Sequence, residues 1–268
     1  MTRKVADLAV IIPSHEKTDT LLKAIDSVFA QTTHPSIVLV ATKDVLSTID
    51  DDRAQRMTLV EAGEDTSYPA LVNQGIEAAK ELEGVNWFTI LEHDDELLPK
   101  AVENFVAYSS HDPETPVWSG LGLHVNRGNG DGPPELKSML NDAAWAPNIM
   151  ETPGTTDFNA MLRMNFVFLN GCFFKFEVVD EVGLLKPNMK MFADYEFLLR
   201  VVYNGHDIRS IPKATHYHYA GGKMTQDLNG TKREETEFWV TAARKEYFYE
   251  FDREIAYEPA EETETAEA

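Results

Sequence analysis

Trp87-Phe88-Thr89-Ile90-Leu91-Glu92-His93-Asp94-Asp95 passes without a break from five residues of strand type to four polar ones. A run that is apolar at consecutive rather than alternate positions fits a strand buried on both faces, as in a parallel sheet covered by helices. Ligands in such sheets bind beyond the carboxyl ends of the strands. The acidic cluster Glu92-His93-Asp94-Asp95 therefore falls at the ligand edge.

Working upstream, the same alternation recurs. Leu8-Ala9-Val10-Ile11-Ile12, closed by Pro13, reads as a first buried strand, and Leu21, Leu22, Ile25, Val28 and Phe29 repeat at helical spacing behind a cap at Thr18 or Asp19. Ile37 to Ala41 is a second strand and Met57 to Val60 a third. Ala70, Leu71, Ile76, Ala78 and Ala79 then outline a helix that ends near Gly84. Repeated β-α units predict an α/β fold, a Rossmann-like, mostly parallel sheet flanked by helices. Ser14-His15-Glu16 and Thr42-Lys43-Asp44 fall at the same strand ends as the acidic cluster.

Downstream the pattern loosens. Val117 to Val125 reads as a strand, followed by a mobile loop, Arg127 to Pro134, dense in turn-forming residues. An apolar strand is expected around Phe166 to Leu169, a helix through Glu177 to Val182, and a second helix through Tyr195 to Tyr203 that stops at Gly205. A strand near Ile208 leads to His216-Tyr217-His218-Tyr219. Phe238, Trp239, Tyr247, Phe248 and Phe251 suggest a C-terminal helix, and the chain from Glu258 onward is expected to be disordered.

The 268 residues carry 24 basic and 45 acidic side chains, a formal charge of −21, which repels polyanions unless a local basic patch such as Lys223, Lys232 and Arg233 overrides it. Five of the carboxylates lie in the acidic stretch Glu258 to Ala268. A lone cysteine, Cys172, excludes an internal disulfide and fits a reducing, cytoplasmic compartment. Its apolar surroundings, Phe166 to Phe176, favour an inert buried thiol over a nucleophile. The apolar stretch after Met1-Thr2-Arg3-Lys4 is too brief for a secretory signal, and no run approaches the roughly 20 apolar residues of a membrane span.

Carboxylate oxygens at a strand end suit Mg²⁺ or Mn²⁺, and such a cation can bridge to diphosphate oxygens and neutralise leaving-group charge. The competing explanation of Glu92 to Asp95 is a solvated acidic turn opening a helix at Pro99, where acidic residues favour the helix N-terminus.

With its neighbours taken in, the sequence from about residue 8 to residue 220 resembles the family 2 glycosyltransferases, which have the type A nucleotide-sugar transferase fold. Val10-Ile11-Ile12-Pro13-Ser14-His15 and Ala24-Ile25-Asp26-Ser27-Val28-Phe29-Ala30-Gln31-Thr32 look like the family's opening strand and first helix. Asn73-Gln74-Gly75-Ile76-Glu77-Ala78-Ala79 is similar to the helix before its metal motif, and Leu91 to Pro99 to the motif itself. The resemblance implies a nucleotide-sugar donor held around Pro13, Ser14, His15, Glu16, Asp44, Asn73, Glu92, His93 and Asp94. It implies Mn²⁺ or Mg²⁺ on Asp94 and a histidine, with Glu92 in the first acidic position and Asp95 as a supporting or alternative contact.

His216 and His218 alternate along an extended segment and so face one side of a strand, which leaves either or both within reach of the metal. His218 is preferred because Gly221-Gly222-Lys223 follows it as a loop does in the family, with Lys223 meeting phosphate. Val182-Gly183-Leu184-Leu185 and Phe192 to Arg200 look like the segment carrying the catalytic base of inverting members. Asp194 is the candidate, with Glu196 as competitor and a plain helix N-cap as the alternative role for Asp194; Arg200 is expected to hold the active-site carboxylates. Asn170-Gly171 is a candidate acceptor-side turn, and Trp118, His124 and Trp145 are candidates for stacking on a sugar or base.

Two departures stand out. Thr42-Lys43-Asp44 displaces the acidic residue that usually reads the nucleobase, and Leu71-Val72 replaces the basic residue that usually precedes Asn73. The expected organisation is a transferase domain over 1–225, its donor half about 1–100 and its acceptor half about 101–225, then a helical extension over 226–257 and the acidic tail 258–268. The expected activity is inverting transfer from a UDP-sugar to the hydroxyl of a glycan, lipid, protein, small molecule or modified nucleobase. Two alternatives are a sugar-phosphate nucleotidyltransferase, which would need glycines after the first strand, and a silent glycan- or protein-binding module.

Overall fold

The computed structural model describes residues 5–16, 18–126, 134–146, 150, 152–220 and 233–256. Strand β1 (Val5–Ser14) holds the first apolar run, and α1 (Asp19–Phe29) follows. The Thr18 hydroxyl accepts from the Leu21 amide as the N-cap, and Leu21, Ala24, Ile25 and Val28 form the buried stripe. Strand β2 (His34–Ala41), short helices α2 (Lys43–Leu46) and α3 (Asp51–Ala54), β3 (Thr58–Glu61), α4 (Tyr68–Lys80) and β4 (Trp87–Ile90) complete the first half. These four strands are parallel in the order β3-β2-β1-β4, and every residue of β4 is buried.

The second half contributes β5 (Glu96–Leu97), α5 (Ala101–His111), β6 (Val117–Asn126), β7 (Glu135–Leu140), β8 (Thr155–Thr156), α6 (Phe158–Arg163), β9 (Cys172–Lys175), α7 (Phe176–Val182), α8 (Ala193–Tyr203), β10 (Ile208–Tyr219) and α9 (Arg233–Ala256). The sheet continues past β4 as β9-β6-β10-β5, with β7 on β6 and β8 on β10. β9 runs antiparallel to both β4 and β6, while β6 and β10 are parallel. The result is an α/β sheet, parallel in its first half and mixed in its second, with helices on its faces.

The apolar run 166–169 makes no strand. Phe166, Val167 and Leu169 are buried as core filler, and the Phe168 amide donates to the Asn141 side chain at 3.2 Å instead of to a ladder partner. Pairing resumes with a single bridge from Asn170 to Ile90 and, after Gly171 turns the chain at φ +83, with β9 from Cys172. Hydrophobicity alone does not distinguish a paired strand from a buried extended segment.

Apolar residues from α4, α7 and α8 pack on one face of the sheet; on the other α1 covers β1, and Val102 and Phe105 of α5 pack with Trp87 of β4. Phe88 stacks between Phe174 and Phe176, with ring centroids 5.2 and 5.3 Å apart. Helix α9 packs on α8 through Ala243 and Tyr247, and Arg244 donates to the Tyr195 hydroxyl at 2.8 Å. No helix among the described residues is long and apolar enough to cross a membrane. The expected loop at 127–133, the start of the C-terminal extension at 226–232 and the tail 258–268 lie outside the described residues.

Candidate functional site

β1 and β4 are neighbours whose onward connections diverge, so a crevice opens beyond their carboxyl ends. The chain leaves β4 with the Leu91 amide on the Ile11 carbonyl at 2.9 Å. It then folds into a tight turn closed by the Asp95 amide on the Glu92 carbonyl at 3.0 Å. Residues 92–95 do not open a helix: α5 starts only at Ala101, with Lys100 at its N-cap and no side-chain cap bond.

Asp95 is wholly buried and surrounded by donors. One oxygen accepts from the Tyr219 amide at 3.0 Å; the other accepts from His218 Nδ1 at 2.9 Å and from the Asn170 side-chain amide. Facing a carboxylate oxygen, His218 Nδ1 acts as the donor of this bond. Side-chain ligand atoms of Glu92, Asp95 and His218 all lie within 4.8 Å of one another. Beside them Asn170 Oδ1 is buried without a partner. Two carboxylates, an imidazole and an orphaned amide oxygen are a donor set that fits Mn²⁺ or Mg²⁺.

The electrostatics mark the same spot. Burial, with the charges of Asp95, Asp94 and Asp194 added and His218 opposing, pushes Glu92 up to about 8. Burial pulls the His218 imidazole down, but its hydrogen bond to Asp95 and the charges of Asp95, Glu92 and Asp94 outweigh that and raise it to about 9. Asp194 is raised by burial, against the opposing amides of Tyr195 and of Asp194 itself. Tyr68, at the start of α4, is raised by burial and then by the charges of Glu92, Asp194, Asp95 and Asp94. The phenol thus feels the charges of the acidic turn and of Asp194 together.

Asp194 lies in the first turn of α8 but is not its N-cap; that position is Phe192, held at φ +59. Glu196 is buried and committed elsewhere. It accepts from Arg200 at 3.1 and 3.0 Å and pairs with Lys186 at 2.8 Å, while Arg200 also donates to the carbonyls of Val182 and Leu184.

His216 is fully buried and lies outside the Glu92, Asp95 and His218 group. Its ring fills the space a Cβ would take at Gly122 and at Gly171, Nδ1 lies 3.0 Å from the Thr215 hydroxyl, and burial lowers it to about 4. Pro13 and Ser14 are buried at the end of β1, where the Ser14 hydroxyl donates to the Glu16 carbonyl at 2.8 Å. The His15 and His93 rings meet edge to face at 5.4 Å, which brings the ends of β1 and β4 together. Asp44 is exposed in the first turn of α2. Asn73 spends both ends of its amide on the backbone of Leu185.

Trp118, on the interior strand β6, is buried in a cluster with Trp87, Phe105 and Phe173. His124 and Phe168 flank the His218 ring at centroid distances of 5.8 and 6.5 Å. Trp145 is partly exposed against Gly154. Lys223 lies outside the described residues. The sequence reading passed over Tyr68 and Phe168, because an aromatic at the start of an apolar helix or within an apolar run looks like core; nothing in their spacing sets them apart.

A parallel βα half, an acidic turn at the end of its central strand, and a histidine returned to that turn by the last strand of a mixed half define the class: a type A nucleotide-sugar transferase fold. The chain belongs to the glycosyltransferase-like family 2, whose model matches residues 6–246. No curated protein matches the sequence.

Among solved structures it is similar to the mannosyltransferase PcManGT from Pyrobaculum calidifontis in complex with GDP-Man and Mn²⁺. The TM-score is 0.58 and the identity 15%, over 81% of this chain and 58% of that one. It is also similar to S. aureus TarS 1-349 in complex with UDP-GlcNAc, at TM-score 0.56 and 13% identity, over 88% of this chain and 66% of that one. A third likeness, S. aureus TarS, has TM-score 0.53 and 14% identity over 80% of this chain and 36% of that one. The chain therefore spans between about a third and two thirds of the length of these structures. At such identities the likeness is one of fold.

Proposed function

We propose that the protein is a metal-dependent, inverting glycosyltransferase that moves a sugar from a nucleoside diphosphate donor, a UDP-sugar first of all, to an acceptor hydroxyl. The observation that carries this reading is the convergence of Glu92, Asp95 and His218 at the end of β4. The solved relatives bind UDP-GlcNAc and GDP-Man, the latter with Mn²⁺, in the same fold. Mn²⁺ or Mg²⁺ would be held by His218 together with Glu92 and Asp94 or Asp95, and supplies positive charge against the diphosphate.

The chain's own residues do the rest. Asp95 fixes the His218 ring and the Tyr219 backbone, so the charge at the turn is pre-organised. The end of β1 meets the turn through the rings of His15 and His93, and there Pro13, Ser14, His15, Glu16 and His93 would take up the nucleoside. The carboxylate of Asp194 would accept the acceptor's hydroxyl proton as that oxygen forms a bond to the anomeric carbon. The bond from the anomeric carbon to the diphosphate oxygen breaks, its electron pair leaving with the nucleoside diphosphate. Asn170 and Gly171 would border the acceptor side. The lone reduced cysteine suits a cytoplasmic location.

A thermal-shift screen of nucleoside diphosphates tests this reading. A ligand at 100 times its Kd adds about 2.7 kcal/mol of stability, several degrees for a domain of this size. UDP with Mn²⁺ is expected to give the largest rise, and UDP with EDTA much less. Equal shifts for all nucleotides, or none with Mn²⁺, would reject the proposal.

A further inference from the structure

Asn73 stands in the part of the chain whose resemblance suggests donor contacts, yet its side chain is fully occupied elsewhere. Its Nδ2 donates to the Leu185 carbonyl at 2.8 Å and its Oδ1 accepts from the Leu185 amide at 3.0 Å. The primary amide pairs with a peptide unit as a strand partner would, although residues 183–186 belong to no strand or helix. Leu185 itself is buried, its side chain in the core beneath α4 and α8.

Leu185 belongs to the linker between α7 and α8, nine residues before Asp194 in the first turn of α8. From the other side Arg200 of α8 donates to the carbonyls of Val182 and Leu184, and Glu196 pairs with Arg200 and Lys186. The linker is thus gripped from α8 by Arg200 and Glu196 and from α4 by Asn73. α4, which begins at Tyr68, packs on β1 and β2, the strands of the donor half. Asn73 therefore joins the donor half to the segment that delivers Asp194.

We propose that Asn73 is a positioning residue that sets the placement of Asp194 relative to the donor half and makes no contact with the donor. The proposal rests on reading Asp194 as the base. Removing the clamp frees the linker at Leu185 while leaving the acidic turn, His218 and the end of β1 untouched. Donor binding and chemistry should then separate: a misplaced reacting group lowers the rate of the chemical step, not the affinity for the nucleotide.

The test compares Asn73→Ala and Asn73→Asp with wild type in the full chain. The Asp variant keeps an acceptor for the Leu185 amide and loses the donor to its carbonyl. Three quantities are read: hydrogen exchange of residues 184–192, UDP affinity in Mn²⁺ by calorimetry, and kcat for nucleotide release from UDP-glucose, UDP-GlcNAc and GDP-mannose. For Asn73→Ala the proposal expects exchange at Leu185 at least tenfold faster, kcat at least tenfold lower and UDP affinity within twofold of wild type. Asn73→Asp should fall between the two.

A tenfold loss of UDP affinity with exchange at Leu185 unchanged makes Asn73 a donor ligand and overturns the proposal. Faster exchange with kcat unchanged makes the clamp purely structural and also overturns it. A wild type that binds no UDP, with exchange behaving as expected, rejects the functional reading of the site and leaves the clamp as architecture alone.

Discussion

Asp95 and His218, brought together from opposite halves of the chain, share a 2.9 Å hydrogen bond between carboxylate Oδ2 and ring Nδ1, with Asp95 wholly buried. The same carboxylate holds the Tyr219 amide and the Asn170 side chain. Asp95→Ala would leave the donors of Asn170, His218 and Tyr219, the first buried and the other two partly buried, without this acceptor, and stranding buried donors costs about 1–3 kcal/mol. Urea unfolding should show that loss at an unchanged m-value. A loss under 1 kcal/mol would mean that solvent reaches these donors.

Gly171 and Gly205 have nearly the same backbone, φ +83 and +86, in different surroundings. A Cβ at Gly205 meets nothing within 4 Å, whereas one at Gly171 lies 2.4 Å from Cε1 of His216. Gly205→Ala should therefore cost only the left-handed penalty, about 1–2 kcal/mol. Gly171→Ala adds a steric collision with a buried ring and should be clearly worse in the same denaturation assay. Equal losses would remove His216 as the reason for that glycine.

Cys172 is buried, donates its thiol to the Phe168 carbonyl at 3.0 Å, and is pushed far above the ordinary thiol range by burial. The thiolate is the reactive form. Native protein should resist a thiol reagent such as dithionitrobenzoate, and should release one equivalent of chromophore when unfolded in guanidinium. Rapid labelling of native protein would contradict the burial.

Burial raises the Asp194 carboxyl, so its proton is retained to a higher pH than that of an exposed aspartate, about 3.9. A base must be deprotonated; its contribution is present above this raised value and lost as the pH falls through it. The acid limb of kcat against pH should lie above the ordinary aspartate range. Asp194→Asn should lower kcat by about 10²–10⁴-fold and abolish that limb. A variant with wild-type rate and profile would exclude Asp194 as the base.

Much of the fold is legible in the sequence because its first half is built from long apolar runs. Leu8 to Ile12, Ile37 to Ala41 and Trp87 to Leu91 read as buried strands because they alternate with helical stripes such as Leu21, Ile25 and Val28. The position of Glu92 to Asp95 at a strand end follows from the same pattern. The second half is less legible because its elements are short or held by side chains: β5 has two residues, and in the run 166–169, which forms no strand, the Phe168 amide donates to Asn141 instead. Tertiary pairings such as Asp95 with His218 and Asn73 with Leu185 depend on how the halves close and on the irregular register of β10 between Ala214 and His216. No local pattern encodes them.

The most direct test of the central claim is a calorimetric titration of UDP into the protein with Mn²⁺ and again with EDTA, for wild type and for His218→Ala. If the acidic turn and His218 hold the cation that receives the diphosphate, wild type binds UDP tightly with Mn²⁺ and weakly with EDTA. His218→Ala should then need at least tenfold more Mn²⁺ for the same affinity. UDP binding that is indifferent to Mn²⁺, or identical in His218→Ala, would contradict a metal-dependent donor site at this turn.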